Sequence, residues 1–355
     1  MKVKNIVKSG LIVALSGLLL AGCGHKQSAT TTKHKDKSIA LVVNGSGVDD
    51  KSFNQSAWEG TKAVAKKYGL TRGKGGYDYF SSQSDGDYLP NMNQAATAGY
   101  KNIFGVGFQF NQAIEESAKA HPKSNYVIVD NVVKGYKNVA SVNFRSNEAA
   151  YLAGVIAAKT TKTHKVGFVG AMKSDIIDLF QAGFNQGVKD EAKVLGKKIT
   201  VQNTYVGSFT APDKAKSIAQ AMYAGGVDVI STAAGDSGNG VFIAAKSINQ
   251  TKPASQKVWV MGVDSDQQSQ GAYKDSEGKK SNFCLTSIMT GVDSAVKNIV
   301  ERKSFPGGKT LSYGLKEHGV YLTRGFISTK NWNYSQKVAK KIEKGKIKVA
   351  IHPTK

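Results

Sequence analysis

The chain has 355 residues, 49 Lys and Arg against 26 Asp and Glu, a formal charge of +23 and two cysteines. Two cysteines exclude a disulfide framework and a cysteine-rich zinc site, and the length exceeds what one compact core usually holds. The lysines are scattered along helical stretches (Lys62, Lys66, Lys67; Lys193, Lys197, Lys198; Lys340, Lys341, Lys344, Lys346, Lys348) without interleaved aromatics; this argues against specific nucleic-acid binding and for a solvated basic surface that meets acidic lipid head groups or anionic polymers.

First along the chain come Lys2, Lys4 and Lys8, an apolar run from Leu11 to Leu20, and Leu20-Ala21-Gly22-Cys23. The run is too short to span a bilayer, so residues 1–22 are expected to be a lipoprotein signal peptide, with Cys23 carrying diacylglycerol after cleavage. Loss of the three lysines would leave a charge of +20. Residues 23–37, the lipidated cysteine and an unbroken polar stretch, are expected to form a flexible stalk, tethering the body to the extracytoplasmic face of the cell membrane.

From residue 38 onward, short Val- and Ile-rich runs alternate with helical stretches, the pattern of parallel sheets flanked by helices. Strands are predicted at Ile39 to Val43, Tyr77 to Ser81, Asn102 to Val106, Tyr126 to Val129, Ala140 to Asn143, Val166 to Val169, Thr200 to Tyr205, Val227 to Thr232, Val258 to Val263 and Leu285 to Ile288. Similar runs before and after about residue 145 predict an α/β protein of two doubly wound lobes. Cys284, in Phe283-Cys284-Leu285, is expected to be a buried thiol.

The turn Asn44-Gly45-Ser46-Gly47-Val48-Asp49-Asp50-Lys51-Ser52-Phe53-Asn54-Gln55 joins the first strand to the first helix, where open α/β sheets bind ligands. Its glycines permit close backbone approach, its carboxylates accept hydrogen bonds, and Phe53 offers a stacking face. The same residues also suit a solvated turn in which Asp50 or Ser52 caps the helix. Asp130, Gly235 and Asp264 sit at predicted strand ends, and an open sheet would bring them toward one crevice with Asp50 and Phe53.

Catalytic signals are poor. Gly235-Asp236-Ser237-Gly238 matches a serine-protease nucleophile segment over four residues, in a strand–helix alternation foreign to those barrels, and the six histidines (25, 34, 121, 164, 318, 352) form no triad-like setting. Gly308-Lys309-Thr310 lacks the earlier glycine of a P-loop. Asp264-Ser265-Asp266 lacks the following acidic positions of a calcium loop. No enzyme, cofactor or metal site is expected.

The run Asp50-Lys51-Ser52-Phe53-Asn54-Gln55 with Trp58-Glu59-Gly60 resembles the opening of the basic membrane protein family of bacterial lipoproteins, whose best-known type is a purine nucleoside receptor. Matching segments continue through Val129-Asp130, Glu148 to Gly154, Phe180-Gln181-Ala182-Gly183-Phe184, Tyr205 to Phe209, Ala233-Ala234-Gly235 and Gly262-Val263-Asp264-Ser265-Asp266-Gln267. The resemblance implies a type I periplasmic-binding-protein-like fold, two lobes joined by a hinge and crossed three times. On that pattern residues 38–145 plus 262–288 form one lobe and residues 146–261 plus 289–355 the other.

It also implies that Asp50, Asp130 and Asp264 hold ribose hydroxyls, that Phe53 and Asn54 stack on and hydrogen-bond the base, and that Gly235 lines the site, with Asp49, Phe180, Ser231 and Thr290 as further candidates. Two departures stand out: many relatives have an aromatic residue where this chain has Ser231 and a lysine where it has Thr290. The expected function is capture of a small polar solute, a purine nucleoside favoured, by a monomeric receptor that hands it to an ABC permease driven by an ATPase on separate chains. The alternatives are another polar metabolite, or surface adhesion to anionic polymers.

Overall fold

The computed structural model describes residues 34–353. The predicted signal peptide, Cys23 and most of the stalk lie outside the described residues. Lys35–Lys37, assigned to the stalk by its polarity, instead form a single helical turn, and the Lys37 ammonium donates to the Val300 carbonyl at 2.8 Å. The body therefore begins a few residues before its first strand.

The chain opens with β1 (Ile39–Val43), α1 (Phe53–Tyr68), β2 (Tyr77–Ser81), α2 (Tyr88–Thr97), β3 (Asn102–Gly105), α3 (Asn111–Ala120), β4 (Asn125–Val129) and β5 (Val139–Phe144). All five residues of β1 are buried. Alternate side chains explain why: Ile39, Leu41 and Val43 join the core that also holds Ala57 and Val64 of α1, whereas Ala40 and Val42 join that of α2 and α3. A strand covered on both faces reads as a continuous apolar run.

The second series runs α4 (Ser146–Thr160), β6 (Lys165–Gly170), α5 (Asp175–Leu195), β7 (Thr200–Tyr205), α6 (Pro212–Ala224), β8 (Val229–Ala233), α7 (Gly238–Asn249), β9 (Trp259–Asp264), a small hairpin of β10 (Ala272–Lys274) and β11 (Lys280–Asn282), and β12 (Cys284–Thr290). The chain then adds α8 (Val292–Glu301), β13 (Thr310–Tyr313), β14 (Val320–Leu322) and α9 (Thr329–Glu343). Cys284 is fully buried in β12 and unpaired.

Two six-stranded sheets result, ordered β13-β5-β4-β3-β1-β2 and β14-β12-β9-β8-β6-β7. They repeat one plan: β1 corresponds to β6, β3 to β8, β4 to β9 and β5 to β12. Each is parallel except for β14, which runs antiparallel to β12.

Segment 262–288 does not belong to the first lobe, as the boundaries above would have it. Its β12 pairs with β9, and β9 with β8, so hydrogen bonding places it in the second sheet. Conversely, within 289–355, α8 packs on α1 and β13 pairs with β5, which returns that stretch to the first lobe before β14 and α9 rejoin the second. Three crossings remain, after β5, after β12 and after β13. The first and third are tied together: Arg145 bonds Glu148 and Glu317, and Glu148 accepts from the Leu315 amide at 2.8 Å.

Candidate functional site

In both sheets the C-terminal strand ends face the space between the lobes, where open sheets present their loops. That space is a cavity partly continuous with solvent and walled by residues of both lobes. Asp50, Phe53, Asn54, Asp130, Phe180, Gly235, Asp264 and Thr290 all line it. Asp49 is exposed and does not line it, and Ser231 is fully buried inside β8, two residues short of the lining Ala233.

The three aspartates do different things. Asp50 is nearly buried, and its carboxylate accepts from the amides of Ser52 (2.9 Å), Asn54 (3.0 Å) and Gln55 (2.9 Å), so it caps the first turn of α1. Burial raises its pKa and those amides oppose the shift. The capping alternative thus holds for Asp50, which spends most of its acceptor capacity on the backbone while still facing the cavity.

Asp130 directly follows β4 and Asp264 is the last residue of the corresponding β9, and both adopt φ of +65°. Side chains rarely take this left-handed conformation, which costs roughly 1–2 kcal/mol and clusters at functional sites. Here it turns the two carboxyls from their sheets into the shared cavity. Asp264 accepts from the Ser52 hydroxyl at 2.6 Å. Burial pushes its pKa up to about 6, with the Ser52 hydroxyl opposing. Asp130 has no side-chain hydrogen bond among the described residues; burial first, and then the Asp264 charge, push it up to about 8.

Asn54 is committed differently from expectation. Its amide nitrogen donates to Asn44 Oδ1 and to the Gly47 carbonyl, both at 2.9 Å, fastening the turn and leaving only its side-chain oxygen for a guest. Thr290 is buried beside Asp264, and its hydroxyl, like that of Ser52, opposes the upward shift of that carboxyl by hydrogen bonding; Ser46 Oγ is buried without a partner among the described residues.

Residues passed over earlier complete the walls. Phe108, after β3, and Phe209, after β7, bring rings from opposite lobes to 6.3 Å between centroids at 59°. With Phe53 and Phe180 they make four phenyl faces around one chamber. Gln109, Asp236, Ile176 and Ile177 also contribute. Their signal was available: each follows a predicted strand at its C-terminal end. Ser237, which resembled a nucleophile, is spent on structure, accepting from the Ala211 amide and donating to the Ser208 carbonyl, both at 2.8 Å.

The lobes meet directly at the 50–52 turn. Besides the Ser52–Asp264 bond, Ser265 Oγ donates to the Ser52 carbonyl (2.9 Å), Gln267 Nε2 to the Lys51 carbonyl (2.8 Å) and Asn239 Nδ2 to the Asp50 carbonyl (3.4 Å). Lys51 itself has φ of +57°. Second-lobe side chains thus grip three successive first-lobe residues at the edge of the cavity.

Comparison with known proteins gives a consistent picture. Residues 36–352 match the family profile described as ABC transporter substrate-binding protein PnrA-like. The chain is 45% identical over 324 residues, 90% of its length and 91% of the relative's, to the ABC transporter nucleoside-binding protein BmpA of Lactococcus lactis subsp. cremoris. It is 30% identical over 321 residues to basic membrane protein A of Borreliella burgdorferi, covering 88% and 86%. Among solved structures, an ABC transporter solute-binding protein of Aeropyrum pernix K1 aligns with TM-score 0.75 and 26% identity over 90% of this chain and 94% of that one.

Proposed function

This chain belongs to the family of PnrA-like substrate-binding proteins of ABC transporters, and on that premise we propose that it captures a nucleoside, a purine favoured, between its two lobes. A substrate-binding component works with a permease and an ATPase, and no helix among the described residues is long and apolar enough to cross a membrane. The observation that carries the reading is the pair Asp130 and Asp264, turned into one phenyl-lined cavity from equivalent strands of opposite lobes. Carboxyls accept from ribose hydroxyls, and phenyl rings cover the faces of a base.

Closure follows from the same geometry. A solute bound to Asp130 in one lobe and Asp264 in the other favours the closed arrangement, because only there are both contacts made. The 50–52 turn adds direct bonds between the lobes, so a closed, loaded form is distinguishable to a permease. Asp49 and Ser231 carry no role in this reading, and Asp50 chiefly builds the wall.

The membrane attachment is part of the proposal: lipid on Cys23 would hold the receptor near its permease. Cys23→Ser should release the protein into the medium, and its retention at the membrane would oppose lipid anchoring.

The decisive experiment is mass spectrometry of whatever small molecule co-purifies, followed by calorimetry of ligand-stripped protein against a nucleoside panel. One nucleoside bound per chain, with little dependence on salt, is expected. Absence of heat with every nucleoside, together with polymer binding that falls steeply with salt, would replace this reading with adhesion.

A further inference from the structure

Charge changes sign along the first lobe. Its sheet sends the C-terminal ends of β1, β2, β3 and β4 to the cavity and their N-terminal ends to the opposite pole. On the cavity side, segments 44–52, 82–87, 106–110 and 130–133 hold Asp49, Asp50, Asp85, Asp87 and Asp130 against Lys51. At the far pole Lys35, Lys66, Lys123, Lys137, Lys303 and Lys309 are exposed, and none makes an ion pair among the described residues. Hydrogen bonds tie these segments into one surface: Lys37 Nζ donates to the Val300 carbonyl at 2.8 Å, Lys101 Nζ to the Lys123 carbonyl at 2.6 Å and the Ser141 amide to the Lys309 carbonyl at 2.9 Å. Asp36, Asp78 and Glu301, at the same pole, are paired with Lys37, Arg72 and Lys67, so the other lysines keep their charge unopposed.

A second observation says which way this pole faces. The described chain begins there, with the His34 ring 5.3 Å from that of Tyr68 at the end of α1. Cys23 is eleven residues earlier, at most about 40 Å of chain. Resting on the reading above that Cys23 carries lipid, we infer that the far pole of the first lobe is a docking surface for an anionic lipid bilayer, on which the receptor stands with its cavity turned away.

Each Lys or Arg close to an anionic head-group layer raises affinity about fivefold, and the attraction fades within a Debye length, so only groups sharing one face act together. The tether makes the encounter intramolecular and raises the effective concentration of the surface. Turned the other way, the acidic cavity side would meet the same layer with repulsion. The far end of the second lobe is also basic, with Lys162, Lys165, Lys197 and Lys198 at the starts of β6 and β7. Charge alone therefore does not choose between the two ends, and the position of the chain start does. Standing on its first lobe, the receptor leaves the second free to swing, so closure proceeds without loss of the membrane contact.

The test fixes the tether chemically. The mature chain, residues 23–355, is joined through the Cys23 thiol to a maleimide lipid, with which Cys284 does not compete because it is buried. Vesicles are phosphatidylcholine alone or mixed with phosphatidylglycerol, and lysine acetylation is read by mass spectrometry. We expect Lys66, Lys303 and Lys309 to react at least about fivefold more slowly on the anionic vesicles than on the neutral ones, Lys197 and Lys198 to react equally on both, and the difference to vanish in high salt. The triple variant Lys66→Glu, Lys303→Glu and Lys309→Glu, whose fold is checked by its melting temperature, should restore ordinary acetylation at Lys123 and Lys137. Lys197→Glu with Lys198→Glu should leave the protection of the first pole intact.

Equal protection of both ends, protection of the second lobe alone, or none at either would overturn the inference. Stronger protection of Lys66, Lys303 and Lys309 by soluble polyglycerol phosphate than by the anionic vesicles would also overturn it, in favour of a polymer partner. Because the tether here is synthetic, retention of Cys23→Ser at the cell membrane would refute natural lipidation without altering this result.

Discussion

Asp130 and Asp264 are carboxyls whose burial raises their pKa to about 8 and about 6, above the ordinary carboxylate range. The folded protein thus holds a proton more tightly than the unfolded chain. Between the unfolded and folded pKa values the folded state binds more protons, so stability falls as pH rises through about 4 to 8. Asp130→Asn removes this penalty while keeping a side chain that tolerates the left-handed conformation. It should raise stability at pH 9 by on the order of 1 kcal/mol, allowing for solvent in the cleft, with little effect below pH 4, and weaken solute capture at every pH. Thermal melts at both pH values and calorimetry check this. An unchanged melt at pH 9 would mean that Asp130 is not held in a destabilising environment.

Asp50→Ala separates the third aspartate from the other two. It strips the cap from α1 and should cost about 0.5–2 kcal/mol in denaturant unfolding at neutral pH. The sequence placed Asp50 in the turn between β1 and α1 but left its capping role open. Carboxylate–amide geometry decides that matter, and spacing along the chain does not show it. Asn54 is similar, since its commitment to Asn44 and Gly47 depends on how the turn folds back.

Among the elements, α4 and α5 pack closely because Gly154, Gly183 and Gly187 supply no side chain at the contact. A Cβ on Gly187 would collide with the Tyr151 carbonyl oxygen, and one on Gly183 with that of Asn147. The segments Glu148 to Gly154 and Phe180 to Phe184 thus have a backbone reason for their composition, to which Phe180 adds a cavity face. Gly187→Val should destabilise the protein by about 1–3 kcal/mol through overpacking, read from the denaturant midpoint. A neutral outcome would show that the helices separate without penalty.

All ten predicted strands form, with ends displaced by at most two residues. Most are runs of apolar residues covered on both faces, a local pattern, while β2 and β7 at the sheet edges are more polar and only partly buried. The missed strands β10, β11, β13 and β14 have only three or four residues. The last two lie at sheet edges, and their identity comes from partners far away in sequence, β5 and β12.

At the scale of the whole molecule, the grip of Ser265, Gln267 and Asn239 on the 50–52 turn contributes to closure independently of any solute. Gln267→Ala removes a partly buried bond across the lobes and should weaken solute affinity roughly five- to tenfold, mainly through faster release. Stopped-flow release and small-angle scattering, which should show a larger open fraction before solute is added, test this together. Unaltered release would assign closure to the solute alone.

The sequence by itself determined the α/β class, the two-lobed plan, the ten principal strands and the loops at their C-terminal ends, because apolar periodicity and turn chemistry act over a few residues. Only the tertiary structure decided which sheet receives β12 and β13, that Asp50 caps a helix while Asp130 stays free, and that Phe108 and Phe209 approach from opposite lobes. Those outcomes depend on hydrogen bonds and packing between residues tens to hundreds of positions apart, and nothing in the local pattern encodes which distant partner prevails.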